Sequence, residues 1–180
     1  MDLCALWLPI LVSAVAVWIV SAICWMVLPH HAKDQGKLPD EPGLTAVLKA
    51  GRVAPGAYAF PYATRKECKD PEFTKRWMEG PTGWLVVMGP MRMGRSMLQT
   101  FGVYLAVSVI VGYLAATTLS AAAGAGHVFR VTGTAGVLAY SFAFLPNAIW
   151  FGRSRTYMLN HVLDGVLMGL ATGGTFALLW

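Results

Sequence analysis

Apolar residues in this chain are concentrated in four long stretches, which are separated by two short polar turns and one long polar segment. The stretches predict membrane-spanning helices over residues 3–28, 97–123, 131–151 and 157–180. A helix rises about 1.5 Å per residue, so each stretch is long enough to cross a hydrocarbon core of roughly 30 Å. Because backbone polar groups find no water inside lipid, the stretches must be helical. The expected fold class is all-α: a polytopic membrane protein with a bundle of four transmembrane helices.

The composition narrows the class of protein. Hydrophobic residues make up 56% of the 180 residues and charged residues only 13%, about half the charged share of a soluble domain. This composition excludes a disordered protein and argues against a soluble enzyme. The first stretch begins with Asp2 and has no basic start or small-residue cleavage site, so we expect it to stay in the protein and not to be removed as a signal peptide.

Residues 29–96 have the composition of a soluble protein and form an insertion between the first two predicted spans. Two short helices are expected in it. The first is capped by Asp40 and ends at Gly51, and the second is capped by Asp70 and ends at Gly80, because aspartate is favoured at the N-cap and glycine at the C-terminus.

The rest of the insertion is expected to be irregular. Residues 55–61 are rich in proline and aromatic residues and predict an extended connector. Residues 84–88 are apolar but too short to span, and predict a segment at the membrane interface.

The basic residues indicate the orientation. Eleven of the 14 lysines and arginines fall in residues 29–96, Arg153 and Arg155 lie between the last two spans, and only Arg130 lies on the opposite side. By the positive-inside rule, residues 29–96 are expected to be cytoplasmic and both termini outside, in the inner membrane. The net charge of +5 then reports orientation and contact with membrane lipids, and no nucleic acid is expected as a partner.

Small residues recur at helical spacing in the second and fourth spans. Such stripes let helix backbones approach closely in lipid. They permit two interpretations: packing within one bundle, or a homo-oligomer or membrane complex formed through the fourth helix. The stripe of the fourth span and the matching stripe of the second span comprise Gly165, Gly169, Gly173, Ser108, Gly112 and Ala116.

Polar and ionisable groups gather at the predicted cytoplasmic ends of the spans. Asp164 is an acid set inside a span, where a carboxylate is costly and requires a partner. Arginines or His161, three residues earlier on the same helix face, are the expected partners. The candidates for ligand or ion binding are His30, His31, Arg95, Asn147, His161 and Asp164.

The chemistry of this group stays open at the level of sequence. Histidine and aspartate are acceptable metal ligands, but no H-x-x-x-H or C-x-x-C spacing supports a metal site, so neither a metal nor a cofactor is expected. A headgroup site, a bis-histidine haem and an ion-pair network that only fixes helix order are the alternatives. No catalytic motif is present.

The membrane part resembles small bacterial four-helix integral membrane proteins of unknown function. The resemblance implies a membrane protein and brings no activity or catalytic residue. It rests on the segments Trp25–Pro29 and Leu145–Asn147, the basic pair Arg153 and Arg155, the pair Asp164 and Gly165, and Gly169 and Trp180.

Three functions are compatible with these patterns. The first is a non-enzymatic structural or accessory component that acts through helix packing and lipid or protein contacts. The second is a small oligomeric transporter or channel that uses the polar cluster around Asp164. The third is a membrane redox protein, or one that binds metal or haem.

Overall fold

The computed structural model describes residues 2–180, and about 70% of them are helical. They divide into two compact units: a helical unit, made of the residues up to Gln35 and from Arg92 onward, and an insertion unit, Gly36–Met91. In chain order the elements are α1 (Trp7–Met26), α2 (Glu41–Ala50), β1 (Gly56–Phe60), α3 (Pro71–Glu79), β2 (Gly83–Val87), α4 (Met93–Thr118), α5 (Ala125–Val137), α6 (Leu145–Trp150) and α7 (Arg155–Leu179).

Four helical segments among residues 2–180 are long and apolar enough to cross a membrane, as predicted. They are Leu3–Met26, Met93–Thr118, Ala125–Trp150 and Arg155–Leu179. The first includes a short 3-10 helix, and the third joins α5 to α6 through a π-helical turn, Leu138–Phe142.

The third segment begins at Ala125 and not at residue 131, so Arg130 lies inside it and not in a loop. The sequence prediction began the span directly after this charge. In the structure the arginine is exposed and its Nε donates to the carbonyl oxygen of Gly126 at 3.2 Å. A long arginine side chain can reach toward the membrane surface from within a helix, which explains why the charge does not end the helix.

The helical unit is held together by close backbone contacts and an apolar core. α1 packs against α4 and α7, and α7 packs against α5 and the π-helical turn. The core lies near the N-terminus of α1 and the C-terminus of α7. It comprises Leu6, Ile10, Val111, Ala115, Ala116, Leu119, Val128 and Phe176.

The glycine stripe of α7 packs within the chain. A Cβ at Gly173 would lie 3.0 Å from the Cα of Gly133 on α5, and a Cβ at Gly169 would collide with Val137. The stripe of α4, by contrast, does not match α7: Gly112 faces Ile10 of α1, and Ser108 donates to Ser13 of α1 at 3.4 Å. The small residues of α4 and α7 therefore serve two different helix pairs.

The two short helices of the insertion unit are confirmed. Asp40 accepts a hydrogen bond from the backbone N–H of Gly43 at the start of α2, and Asp70 accepts one from Glu72 at the start of α3. On α3 the rings of Phe73 and Trp77 share one face, with centroids 5.9 Å apart.

The insertion unit also contains a β-hairpin, so the all-α prediction is wrong for this part of the chain. β1 and β2 pair antiparallel, with Gly56 opposite Val87 and Phe60 opposite Gly83. The predicted extended connector supplies β1, and the predicted interfacial segment supplies β2. Each strand alone is too short to be distinguished from a loop. The partner of β1 is β2, which follows α3 in the sequence, and no local pattern predicts the pairing of strands so separated.

Candidate metal centre

A sharp change of direction after α1 creates one half of a polar cluster. Leu28 is extended, with φ −80° and ψ 138°, because the following proline disfavours the helical region. Pro29 then begins a 3-10 helix, Pro29–Lys33, which packs against α7. This turn carries His30 and His31 to the side of α7 and ends at Asp34.

The start of α7 supplies the other half. Ser154 caps the helix by accepting a hydrogen bond from the N–H of Tyr157 at 3.1 Å. Asn160 and Asp164 are four residues apart and lie on one helix face, with His161 beside them. We call His30, His31, Asp34, Asn160, His161 and Asp164 the His–Asp cluster.

Asp164 accepts a hydrogen bond from each histidine of the 3-10 helix. His30 Nε2 lies 2.7 Å from Oδ1, and His31 Nε2 lies 2.7 Å from Oδ2. The side chain of Asp164 is only 3% exposed. A carboxylate buried in a span therefore has both of its oxygens satisfied, by histidines and not by the arginines expected from the sequence.

His31 lies between two carboxylates. Its Nδ1 is 2.5 Å from Oδ2 of Asp34, while its Nε2 faces Asp164. Burial alone would lower the pKa of His31, but these hydrogen bonds and the two negative charges raise it above its usual value. The ring of Trp25 stacks on His31, with centroids 4.0 Å apart and planes 6° apart, and covers one face of the imidazole.

Asp34 is fixed from two sides. Asn160 Nδ2 donates to Oδ1 of Asp34 at 2.9 Å and to the backbone oxygen of His30 at 2.7 Å. Burial would raise the pKa of Asp34, but the hydrogen bonds from His31 and Asn160 hold it below its usual value. The side chain is only 3% exposed, so the cluster buries a second carboxylate in addition to Asp164.

His161 is held by ring contacts instead of hydrogen bonds. Its centroid lies 4.2 Å from that of Tyr157 and 4.6 Å from that of Phe144. Its Nε2 is buried and has no hydrogen-bond partner among residues 2–180. A buried nitrogen without a partner is costly and requires an explanation.

Two overlapping sets of side chains offer metal-ligand atoms that lie within 4.8 Å of one another: His30, His31 and Asp164, and His31, Asp34 and His161. Ligand atoms around a tetrahedral ion are roughly 3.4 Å apart, given metal–ligand distances of about 2.0–2.2 Å. The His–Asp pairs at 2.7 Å therefore need to separate by less than about 1 Å to admit an ion in place of the shared protons.

The first set also has the outer shell typical of a metal site. A metal-ligating histidine commonly donates its other ring N–H to a carboxylate, which fixes the ring and makes the ligating nitrogen more basic. Asp34 is this carboxylate for His31, because it faces Nδ1 of the ring. Nε2 of His31 is then directed at Asp164, and the ring lies beside that of His30. Imidazole and carboxylate together suit zinc, iron, manganese, cobalt and nickel.

The structure brings together four of the six residues proposed from the sequence. His30, His31, His161 and Asp164 lie in the His–Asp cluster. Arg95 and Asn147 are exposed and form no hydrogen bond or ion pair with it among the described residues. Of the expected arginine partners, Arg153 lies over the ring of Tyr157, 5.4 Å from its centroid.

Two members of the cluster, Asp34 and Asn160, are not among the residues proposed from the sequence. The spacing of Asn160 and Asp164 on α7 was an available signal, since residues four apart share a helix face. The bond from Asn160 to Asp34 joins residues 126 positions apart, and no local pattern predicts it.

Comparison of this chain with family models, curated proteins and solved structures found no match.

Proposed function

We propose that this protein is a non-enzymatic integral membrane protein that binds a divalent transition-metal ion at the cytoplasmic end of its helices. His30 Nε2, His31 Nε2 and a carboxylate oxygen of Asp164 are the ligands, and Asp34 orients His31. The observation that carries the proposal is the convergence of these three ligand atoms within 4.8 Å. The basic residues of the 29–96 segment support the cytoplasmic orientation in an inner membrane.

Binding is an exchange of protons for an ion. When the ion enters, the hydrogen bonds from His30 and His31 to Asp164 are replaced by coordination bonds, and both Nε2 atoms become unprotonated ligands. The ion's positive charge then neutralises the buried carboxylates, which is favourable in a low-dielectric setting. We therefore expect the bound ion to stabilise the contact between α7 and the 3-10 helix.

The test is a metal-binding measurement on the full chain in detergent or nanodiscs, purified with a tag that contains no histidine. Metal-free protein is dialysed separately against Zn²⁺, Mn²⁺, Fe²⁺, Co²⁺ and Ni²⁺, and the bound metal is quantified by plasma mass spectrometry. We expect at least one equivalent of a preferred ion. His30→Gln and Asp164→Asn should each weaken binding at least tenfold.

The matched control is His127→Gln. His127 is the remaining histidine of the chain; it is exposed on α5 and lies outside the cluster. Its substitution should leave binding unchanged. Metal content at background for all five ions would contradict the proposal. So would equal affinities for the wild type, His30→Gln and Asp164→Asn.

A further inference from the structure

The His–Asp cluster offers two overlapping sets of metal-ligand atoms. The proposed first ion would be bound by Nε2 of His31, whereas Nδ1 of the same ring faces Asp34 at 2.5 Å. A ring nitrogen of His161 lies within 4.8 Å of the ligand atoms of His31 and Asp34. His31 is thus the common member of two ligand sets on opposite edges of its ring.

The unpartnered nitrogen of His161 is the second observation. Its Nε2 is shielded from solvent and accepts no hydrogen bond among residues 2–180. Tyr157 and Phe144 pack against the ring, which limits its reorientation toward solvent. A buried imidazole nitrogen without a hydrogen-bond partner, on a ring that offers a nitrogen within 4.8 Å of ligand atoms of His31 and Asp34, is an arrangement that a metal ion would complete.

We propose that the cluster holds a second divalent transition-metal ion between Nδ1 of His31, Asp34 and His161, so that the His31 ring bridges two ions. This inference rests on the proposed function, because it assigns the first ion to Nε2 of the same ring. His31 gives up the protons on both nitrogens and becomes an imidazolate.

The charges in the cluster are compatible with two ions. The two carboxylates and the imidazolate carry three negative charges against the four positive charges of two divalent ions, with His30 and His161 neutral. Asn160 keeps Asp34 in position through the bond to Oδ1. Oδ2, which now accepts from His31, becomes free to coordinate the second ion.

Cu²⁺ titration of the full-length, metal-free protein in nanodiscs tests the bridge. Cu²⁺ accepts imidazole and carboxylate ligands, and two Cu²⁺ ions joined by an imidazolate couple magnetically, which reduces their paramagnetic resonance signal. We expect two equivalents bound, with a signal smaller than that of two isolated ions. His161→Phe, which retains an aromatic ring between Tyr157 and Phe144, should bind one equivalent with the full signal of an isolated ion.

The outcomes separate the two proposals. One equivalent in both the wild type and His161→Phe overturns the second site and leaves the proposed function standing. No binding in the wild type overturns both. Two equivalents in both proteins place the second ion elsewhere and also overturn this inference. His161→Gln provides a second variant if the phenylalanine variant does not fold, and the wild-type signal at two equivalents tests the bridge without any substitution.

Discussion

Replacing Gly173 with alanine tests whether the glycine stripe of α7 packs within one chain. The added Cβ would lie 3.0 Å from both the Cα of Gly133 and the backbone oxygen of Phe129. Both are backbone atoms, so α5 and α7 must move apart. Overpacking of this kind costs about 1–3 kcal/mol, and the gain in helix propensity from alanine offsets up to about 1 kcal/mol of it.

Gly174 provides the matched control. It is the next residue on the same helix, and a Cβ there would have no atom within 4 Å. Gly174→Ala gains the propensity without the overpacking, so the difference between the two variants isolates the packing cost. We expect Gly173→Ala to be less stable than Gly174→Ala by about 1–3 kcal/mol, measured by reversible unfolding in mixed dodecylmaltoside and SDS micelles with circular dichroism.

The same measurement separates packing within the chain from packing between copies. If the stripe joined α7 to a second chain, the stability difference would depend on the ratio of protein to detergent. We expect no such dependence. Equal stabilities of Gly173→Ala and Gly174→Ala, or a difference that disappears on dilution, would refute the packing described for α5 and α7.

Three further predictions concern the His–Asp cluster. Asp34→Asn should weaken the affinity for Zn²⁺ about 10–100-fold, measured below one equivalent by competition with a chelating dye. Glu67→Gln, a carboxylate-to-amide change in the insertion unit, should not alter that affinity. Asp164→Ala should destabilise the metal-free protein by about 3–5 kcal/mol because it leaves two buried donors unpaired. Asp164→Asn should cost less, since its amide oxygen still accepts one bond; equal losses would contradict this reasoning. The stability difference between wild type and His31→Gln should be largest from about pH 4 to 6.5 and should shrink at higher pH.

The direction of the pH effect follows from the two pKa shifts. The pKa of His31 is raised in the folded state. Its contribution to the stability of the fold is therefore fully present at pH values below its usual pKa, and is lost as the pH rises through the raised pKa. The pKa of Asp34 is lowered in the folded state. Its contribution to stability is therefore present at pH values above its usual pKa, and is lost as the pH falls through the lowered pKa. A stability difference that increased above pH 7 would contradict the bridging position of His31.

The sequence was sufficient to predict the helices of this protein because their signals are local. Span length and apolar content predicted four helices that can cross a membrane, and the capping residues Asp40 and Asp70 predicted the starts of α2 and α3. The hairpin was missed because β1 and β2 are joined across α3. Their register, with Tyr58 opposite Leu85, depends on a non-local contact that periodicity does not contain.

The candidate site was only partly predictable for the same reason. A proline directly after a span, followed by two histidines, placed His30 and His31 at the membrane boundary, and the depth of Asp164 indicated that it needed a partner. The identity of that partner was not available from the sequence, because His30 and Asp164 are 134 positions apart. Metal-site spacings within a single element are recognisable in a sequence, whereas ligands from a 3-10 helix and a distant span are not.

The arrangement of the cluster exceeds what helix order alone requires. A carboxylate inside a span is costly unless it has partners, and hydrogen bonds from His30 and His31 satisfy both oxygens of Asp164. These two hydrogen bonds would be sufficient to hold the 3-10 helix against α7. The chain also buries a second carboxylate, Asp34, and Nε2 of His161 has no hydrogen-bond partner among residues 2–180. The unpartnered nitrogen is costly in the absence of an ion, and a bound cation would satisfy it and would also neutralise the two carboxylates.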